Sequence, residues 1–364
     1  MGSEVAAPLL RIVARGVSPG LPSPPATWRK GLILSHTHLG DVLYRTCSLG
    51  ALKAGLPDCE WDFLTSPLGA EVLAGNPAIR EVLPLQMSED SWSLSSRAMR
   101  EIGARGYDVI LCTNTVRHYA DFLTALRLRV PNRVGFIDKG FSGVLSFGVE
   151  SSMPRAYPDY FRTMVSAVIG TPPAWPLKPQ IFPGIADVAA AERAWAGLDL
   201  DCERPVIACT LTTRQPGGQW PSELFLRSLE IAHGESGAQI VFCGSIEDTD
   251  SLYSAAARCS VPSVVLAGAL GIRGFAAFLQ RCSVLLAMDS GPRHVANAVS
   301  TPVVFLRNAT YLRAEAGSYA DTEVDAAPLD ELVGPERVRY LAAKIDPAAI
   351  AGSLIKCMNE PRCQ

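Results

Sequence analysis

The stretch from Ser283 to Leu306 constrains the fold of this chain more than any other. An apolar run, Val284 to Met288, ends in Asp289-Ser290-Gly291-Pro292-Arg293-His294. A short helical pattern follows (Val295, Ala296, Ala298, Val299), then Thr301-Pro302 and a second apolar run, Val303 to Leu306. The order is strand, turn, helix, strand. Ser290 or Gly291 suits the helix cap, and Pro292 suits the first turn, where its missing N–H costs nothing. Such a turn points a helix N-terminus, with its backbone N–H groups and positive dipole end, out of the carboxyl edge of a parallel sheet. That arrangement binds anions, most often phosphate.

The same grammar fills the rest of the chain. Leu32–Leu34, Trp61–Thr65, Glu81–Leu85 and Val109–Cys112 read as strands separated by helix-period segments, and Ser66-Pro67 begins one helix. After Thr171 the composition turns to T-P-P-A-W-P-L-K-P-Q-I-F-P-G, and proline at this density favours a stiff extended connection. Beyond it, strands at Val206–Leu211, Gln239–Cys243 and Val264–Leu266 alternate with helices. The expectation is α/β: a flexible extension over 1–28, a doubly wound domain over 29–172, a proline-rich linker over 173–184, a second doubly wound domain over 185–345, and a C-terminal segment, 346–364, packing back on the first domain. Two such domains would face each other across a cleft lined by the carboxyl ends of both sheets.

Composition narrows the function classes. With 364 residues, 48% hydrophobic and a net charge of −3, the chain has ample apolar content for two cores and no broad basic surface for duplex nucleic acid. No apolar run is long enough to span a bilayer, and the N-terminus lacks the layout of a secretion signal, so a cytoplasmic protein is expected. The 10 cysteines are scattered without a C-x-x-C pair, and most read as small buried hydrophobes.

Four segments together carry a resemblance: His38-Leu39-Gly40-Asp41-Val42-Leu43; Thr212-Thr213-Arg214 followed by Trp220-Pro221; Phe242-Cys243-Gly244-Ser245 with Glu247-Asp248; and the Asp289 motif preceded by Leu266-Ala267-Gly268. In this order they resemble glycosyltransferase family 9, the family of the ADP-heptose:lipopolysaccharide heptosyltransferases. The resemblance implies the GT-B architecture of two Rossmann-like domains, and an inverting, metal-independent transfer of a sugar, by default heptose from ADP-heptose, to an acceptor hydroxyl or amine. Inner-core lipopolysaccharide is the default acceptor; a small acceptor of a natural-product pathway and a catalytically silent nucleotide- or carbohydrate-binding protein are the alternatives. An ADP-sugar and a glycolipid or small acceptor are the implied partners, with peripheral contact at the inner face of the membrane and no cofactor beyond the co-substrate.

Residue roles follow from position and resemblance together. Asp41, just past the first strand, is placed to take the proton of an acceptor hydroxyl, or equally to cap its helix. His36, His38 and Gly40 border the acceptor side. Thr212, Thr213 and Arg214 end a strand where hydroxyls and a guanidinium fork suit a diphosphate. The family often has a lysine just before Trp-Pro; here Gly218 and Gln219 stand there, leaving Arg214 or Arg293 to supply the charge, unless Arg293 is a surface residue. Glu247 or Asp248 is either a donor-contacting carboxylate or a helix-start acid, and His294 either a phosphate contact or a core histidine. Asp289, Ser290 and Gly291 complete the donor side. Two D-x-D strings, Asp199-Leu200-Asp201 and Asp248-Thr249-Asp250, are weighed against a metal and left without one.

Overall fold

The computed structural model describes residues 20–35, 38–85, 95–114, 119–137, 142–151, 156–213, 219–308, 311–316, 319, 323–327, 338 and 342–360. The chain divides into two compact units, Met1–Leu177 and Lys178–Gln364. Among the described residues, no helix is long and apolar enough to cross a membrane.

The first unit is built on six parallel strands: β1 (Lys30–Leu34), β2 (Glu60–Thr65), β3 (Glu81–Pro84), β4 (Val109–Cys112), β5 (Asn132–Phe136) and β6 (Phe147–Val149). Their order is β3-β2-β1-β4-β5-β6. Among the described residues, five helices connect or flank them: α1 (Leu39–Gly55), α2 (Pro67–Leu73), α3 (Ser96–Gly103), α4 (Tyr119–Arg127) and α5 (Tyr157–Ile169). The expected Ser66 cap is present, its Oγ accepting from Gly69 N at 3.1 Å. In β1, Gly31 is required by close packing, because a Cβ there would lie 2.3 Å from the Trp61 ring.

The second unit repeats the plan. Strands β7 (Val206–Thr210), β8 (Gln239–Gly244), β9 (Ser263–Ala267), β10 (Val284–Met288), β11 (Val303–Leu306) and β12 (Glu323–Asp325) form a parallel sheet of order β12-β11-β10-β7-β8-β9. The accompanying helices are α6 (Ile185–Gly197), α7 (Ser222–Ser236), α8 (Thr249–Arg258), α9 (Ile272–Arg281), α10 (Gly291–Ala298), α11 (Arg313–Ala316) and α12 (Pro347–Asn359). Every residue of β7 and β10 is buried, as continuous apolar strands covered on both faces must be.

Each sheet is doubly wound. In the first unit the chain lays strands to one side of β1 and then reverses at β4; in the second it does so at β7 and β10. At such a reversal the loops leaving the two central strands part to opposite faces, opening a crevice at the carboxyl edge where ligands bind. The loops after β1 and β7, and those after β4 and β10, are therefore where this topology presents a ligand crevice. Asp41 lies in the first turn of the helix after β1, and the Asp289 motif spans the loop after β10 and the start of the next helix.

Two expectations are corrected. The extension expected over 1–28 is fastened at its end: Trp28 is 1% exposed, its indole N–H donates to Ser23 Oγ at 3.2 Å, and Ser23 N donates to Asn132 Oδ1 at 3.2 Å. A buried tryptophan outweighs the disorder that Pro, Gly and Ser favour. The C-terminal segment, expected on the first domain, belongs to the second unit: α12 packs on α7, and its Ile350, Ala351, Leu354 and Cys357 join the second unit's core with Phe225, Leu229 and Leu306. The apolar face of α12 is spent there. Replacing Leu354, which is fully buried, by alanine should destabilise the second unit by about 2–5 kcal/mol, read as a lower denaturant midpoint for that unit.

Candidate active site

On the second unit, β10 ends at Met288 and α10 begins at Gly291, with Pro292 in its first turn. Ser290 occupies the N-cap position in extended backbone but makes no capping bond; its hydroxyl donates to Met288 O at 3.3 Å instead. No acidic residue lies in the first turn, so the positive end of α10 is not offset from within the helix. Across the switch point, Thr212 and Thr213 follow β7 and are half-buried. Arg214 and Gly218 lie outside the described residues. Where the family often carries lysine, Gln219 donates its amide to Leu211 O at 3.0 Å, and the neighbouring Trp220 indole donates to Arg307 O at 3.0 Å.

Arg293 fits neither sequence reading. It is no surface arginine, for its side chain is 0% exposed, and its nitrogens are engaged by protein carboxylates: Nε and Nη2 donate to Glu323 at 2.8 and 2.5 Å, and Nη1 to Asp289 Oδ1 at 2.7 Å. The guanidinium also lies over the Phe305 ring, 3.6 Å from its centroid. Asp289 is therefore turned into the protein, its Oδ2 accepting from Asn308 N at 3.4 Å. Glu323 receives further bonds from Asn297 Nδ2 and Tyr319 N, both at 2.9 Å.

His294 resolves toward the core. It is 3% exposed, its Nδ1 lies 3.1 Å from the Tyr319 hydroxyl, and the two rings meet edge to face. Burial, aided by the Arg293 charge, pushes its pKa well below the ordinary imidazole value. Of the two acids after β8, Asp248 closes the turn before α8, its Oδ2 accepting from Ser245 N at 2.9 Å and Ser245 Oγ at 2.7 Å, while Glu247 is exposed. In the other D-x-D string, Asp199 sits at φ +52° and Asp201 Oδ1 accepts from Glu203 N, both turn roles. Among the described residues, no group of three or more His, Cys, Asp or Glu side chains could hold a metal ion.

On the first unit, Asp41 is the third residue of α1 and half-buried; its Oδ2 accepts from His38 N at 3.2 Å, so it does cap the helix. His38 is exposed and Gly40 half-buried, while His36 lies outside the described residues. Sequence reasoning missed Arg45, one turn further on. This buried arginine donates from Nε to Thr113 Oγ1 at 2.6 Å and from Nη2 to Thr113 O and Asn114 Oδ1, each at 3.1 Å, and from Nη1 to the Asp41 carbonyl. Thr113 Oγ1 in turn donates to Leu34 O at 2.7 Å. The guanidinium thus ties the start of α1 to the ends of β1 and β4. Its pKa is lowered by burial, with the Asp41 and Asp121 carboxylates acting in the opposite sense. The signal in the sequence was an arginine on the apolar side of a helix that opens next to a switch point.

Comparison with known proteins gives a consistent result. The profile of glycosyltransferase family 9 (heptosyltransferase) matches residues 96–312. Lipopolysaccharide heptosyltransferase 3 of Escherichia coli is 21% identical over 282 residues, covering 74% of this chain and 81% of that protein. The crystal structure of a family 9 glycosyltransferase from Veillonella parvula is similar at a TM-score of 0.76 with 18% identity, covering 93% of this chain and 97% of that one. The E. coli ADP-heptose LPS heptosyltransferase II structure is similar at 0.71 with 17% identity, covering 90% and 98%. Both are GT-B structures, and the likeness shows that fold.

The buried histidine makes a test of the site's interior. Because the folded chain resists protonating His294, the unfolded chain binds the extra proton, so this residue's contribution to stability is complete above about pH 6.5 and is lost as pH falls from there toward the depressed value. Thermal midpoints measured from about pH 7.5 to 5 should fall by up to about 1.4 kcal/mol per pH unit in stability for the parent, and this part of the slope should vanish in His294→Gln.

Proposed function

Since the chain belongs to glycosyltransferase family 9, we propose that this glycosyltransferase moves heptose from ADP-heptose to a hydroxyl or amine of an acceptor, inner-core lipopolysaccharide first, with inversion and without a metal. The observation that carries the reading is the pairing of switch points: a carboxylate, Asp41, follows the reversal in one sheet, and a helix N-terminus without its own acid follows the reversal in the other. The names of the relatives supply the donor and acceptor: one is an ADP-heptose LPS heptosyltransferase, another a lipopolysaccharide heptosyltransferase. The enzyme works in the cytoplasm, at the inner face of the membrane where such an acceptor is presented.

In this reading the donor diphosphate lies at the start of α10, with the backbone N–H groups of its first turn and the hydroxyls of Thr212 and Thr213 taking the charge that develops on the leaving group. Arg214 adds the cation. Glu247 or Asp248 contacts the donor from the turn after β8. Asp41 accepts the proton of the acceptor hydroxyl as that oxygen attacks the anomeric carbon from the face opposite the diphosphate, which gives inversion. Its helix-capping bond engages Oδ2 and is compatible with the base role, since a carboxylate offers further acceptor positions. His38 and Gly40, with His36, shape the acceptor side.

Two variants test this. Asp41→Asn keeps a capping acceptor but cannot take a proton, so ADP release from ADP-heptose with a truncated inner-core acceptor should fall about 10²–10⁴-fold while ADP affinity stays within a few-fold. Turnover close to the parent would remove Asp41 as the base. Gly291→Val should weaken ADP at least about tenfold in calorimetry by blocking backbone approach to the diphosphate. Activity that survives exhaustive chelation is expected. Parental rates with UDP- or GDP-sugars, or only with small acceptors, would replace the donor or acceptor assigned here.

A further inference from the structure

A carboxylate two residues before a helix start is a poor neighbour for a diphosphate. Asp289 stands there, and an ionised group facing the anion would oppose binding. The structure answers this with a buried chain of charges. Asp289 Oδ1 is held at 2.7 Å by Arg293 Nη1, from the first turn of α10, and Arg293 is held in turn by both oxygens of Glu323, whose side chain is fully buried on β12. The guanidinium lies over the Phe305 ring and Asn297 donates to Glu323, so Arg293 cannot swing outward without breaking several contacts. The result is a cation that serves the site from within the protein.

We propose that Arg293 is a positioning residue for the donor site: anchored by Glu323, it holds the Asp289 carboxylate inward and neutralises it, leaving the start of α10 open to an anion. The proposal rests on the reading that the diphosphate sits at that helix start. It also separates the two arginines weighed for the missing lysine, giving Arg293 a role through Asp289 rather than through contact with phosphate.

ADP binding by calorimetry, with folding followed by circular dichroism, tests it. Arg293→Leu alone strands two buried carboxylates and is expected to unfold. The double variant Arg293→Leu/Glu323→Leu removes the pair together and should fold, because apolar side chains of similar volume replace buried ion pairs well. It should nevertheless bind ADP about tenfold more weakly, since Asp289 is released toward the site, and adding Asp289→Asn should restore affinity to within about threefold of the parent. A merely structural role would not give that rescue. Arg293→Lys covers the case in which the double variant fails to fold: a lysine keeps the charge but cannot bridge both carboxylates, so a smaller loss, again rescued by Asp289→Asn, is expected.

Parental ADP affinity in the folded double variant or in Arg293→Lys would overturn the proposal. So would a loss that Asp289→Asn leaves unchanged, for the cause would then be packing. Gly291→Val distinguishes the two levels: if it too leaves ADP affinity intact, the diphosphate lies elsewhere and the donor-site reading falls, taking this proposal with it. If Gly291→Val abolishes binding while the charge variants do not, the site stands and only the role of Arg293 falls.

Discussion

Strands buried on both faces are built mostly from apolar side chains, so most polar chemistry is displaced to the ends of the sheet. In β7 and β10 every residue is buried, Thr210 being the one hydroxyl among them, and the polar side chains of Thr212 and Thr213, and of Asp289 and Ser290, follow at once. The reversal of strand order then decides which of these ends open a crevice. The unit with Asp41 obeys the same rule, since β1 and β4 are its reversing pair. A single architectural constraint, used twice, accounts for two chemically different edges.

Buried guanidinium groups recur where the edges need fixing. Arg45 ties the first turn of α1 to Thr113 and Asn114; Arg293 joins Asp289 to Glu323; Arg307 donates to Asp325 Oδ2 at 3.1 Å and to the Tyr311 carbonyl. Each places a planar fork of donors between segments that follow or belong to different strands. The arginine fork suits this because one side chain satisfies several acceptors in fixed geometry, and desolvation is offset by carboxylates within reach. Loops that carry function are commonly mobile, and such forks give them defined positions without enlarging the apolar core.

Much of this was legible in the sequence, and the failures have physical causes. Strands that are buried on both faces announce themselves as apolar runs, so β1, β2, β4, β7, β8 and β10 could be read nearly residue by residue. Strand β12 could not: Glu-Val-Asp has no apolar run, and its acids are tolerable inside only because Arg293 and Arg307, distant in sequence, pair with them. Arg293 itself was ambiguous for the same reason, since an arginine's burial depends on carboxylates that local pattern does not reveal. Asp41 was ambiguous in a different way. One position suits either a helix cap or a catalytic carboxylate, and the structure contains the cap.

The two acids of β12 have an effect that reaches past the site. This strand closes one side of the second sheet, with β11 as its neighbour, and an outermost strand offers unpaired backbone groups to any passing chain. Here it is three residues long, and its first and third side chains are carboxylates paired with Arg293 of α10 and Arg307 after β11. A strand so short and so charged is a poor template for addition of another. The ion pairs that fix this edge thereby also guard the sheet against joining to its own copies, so their loss would threaten solubility as well as folding.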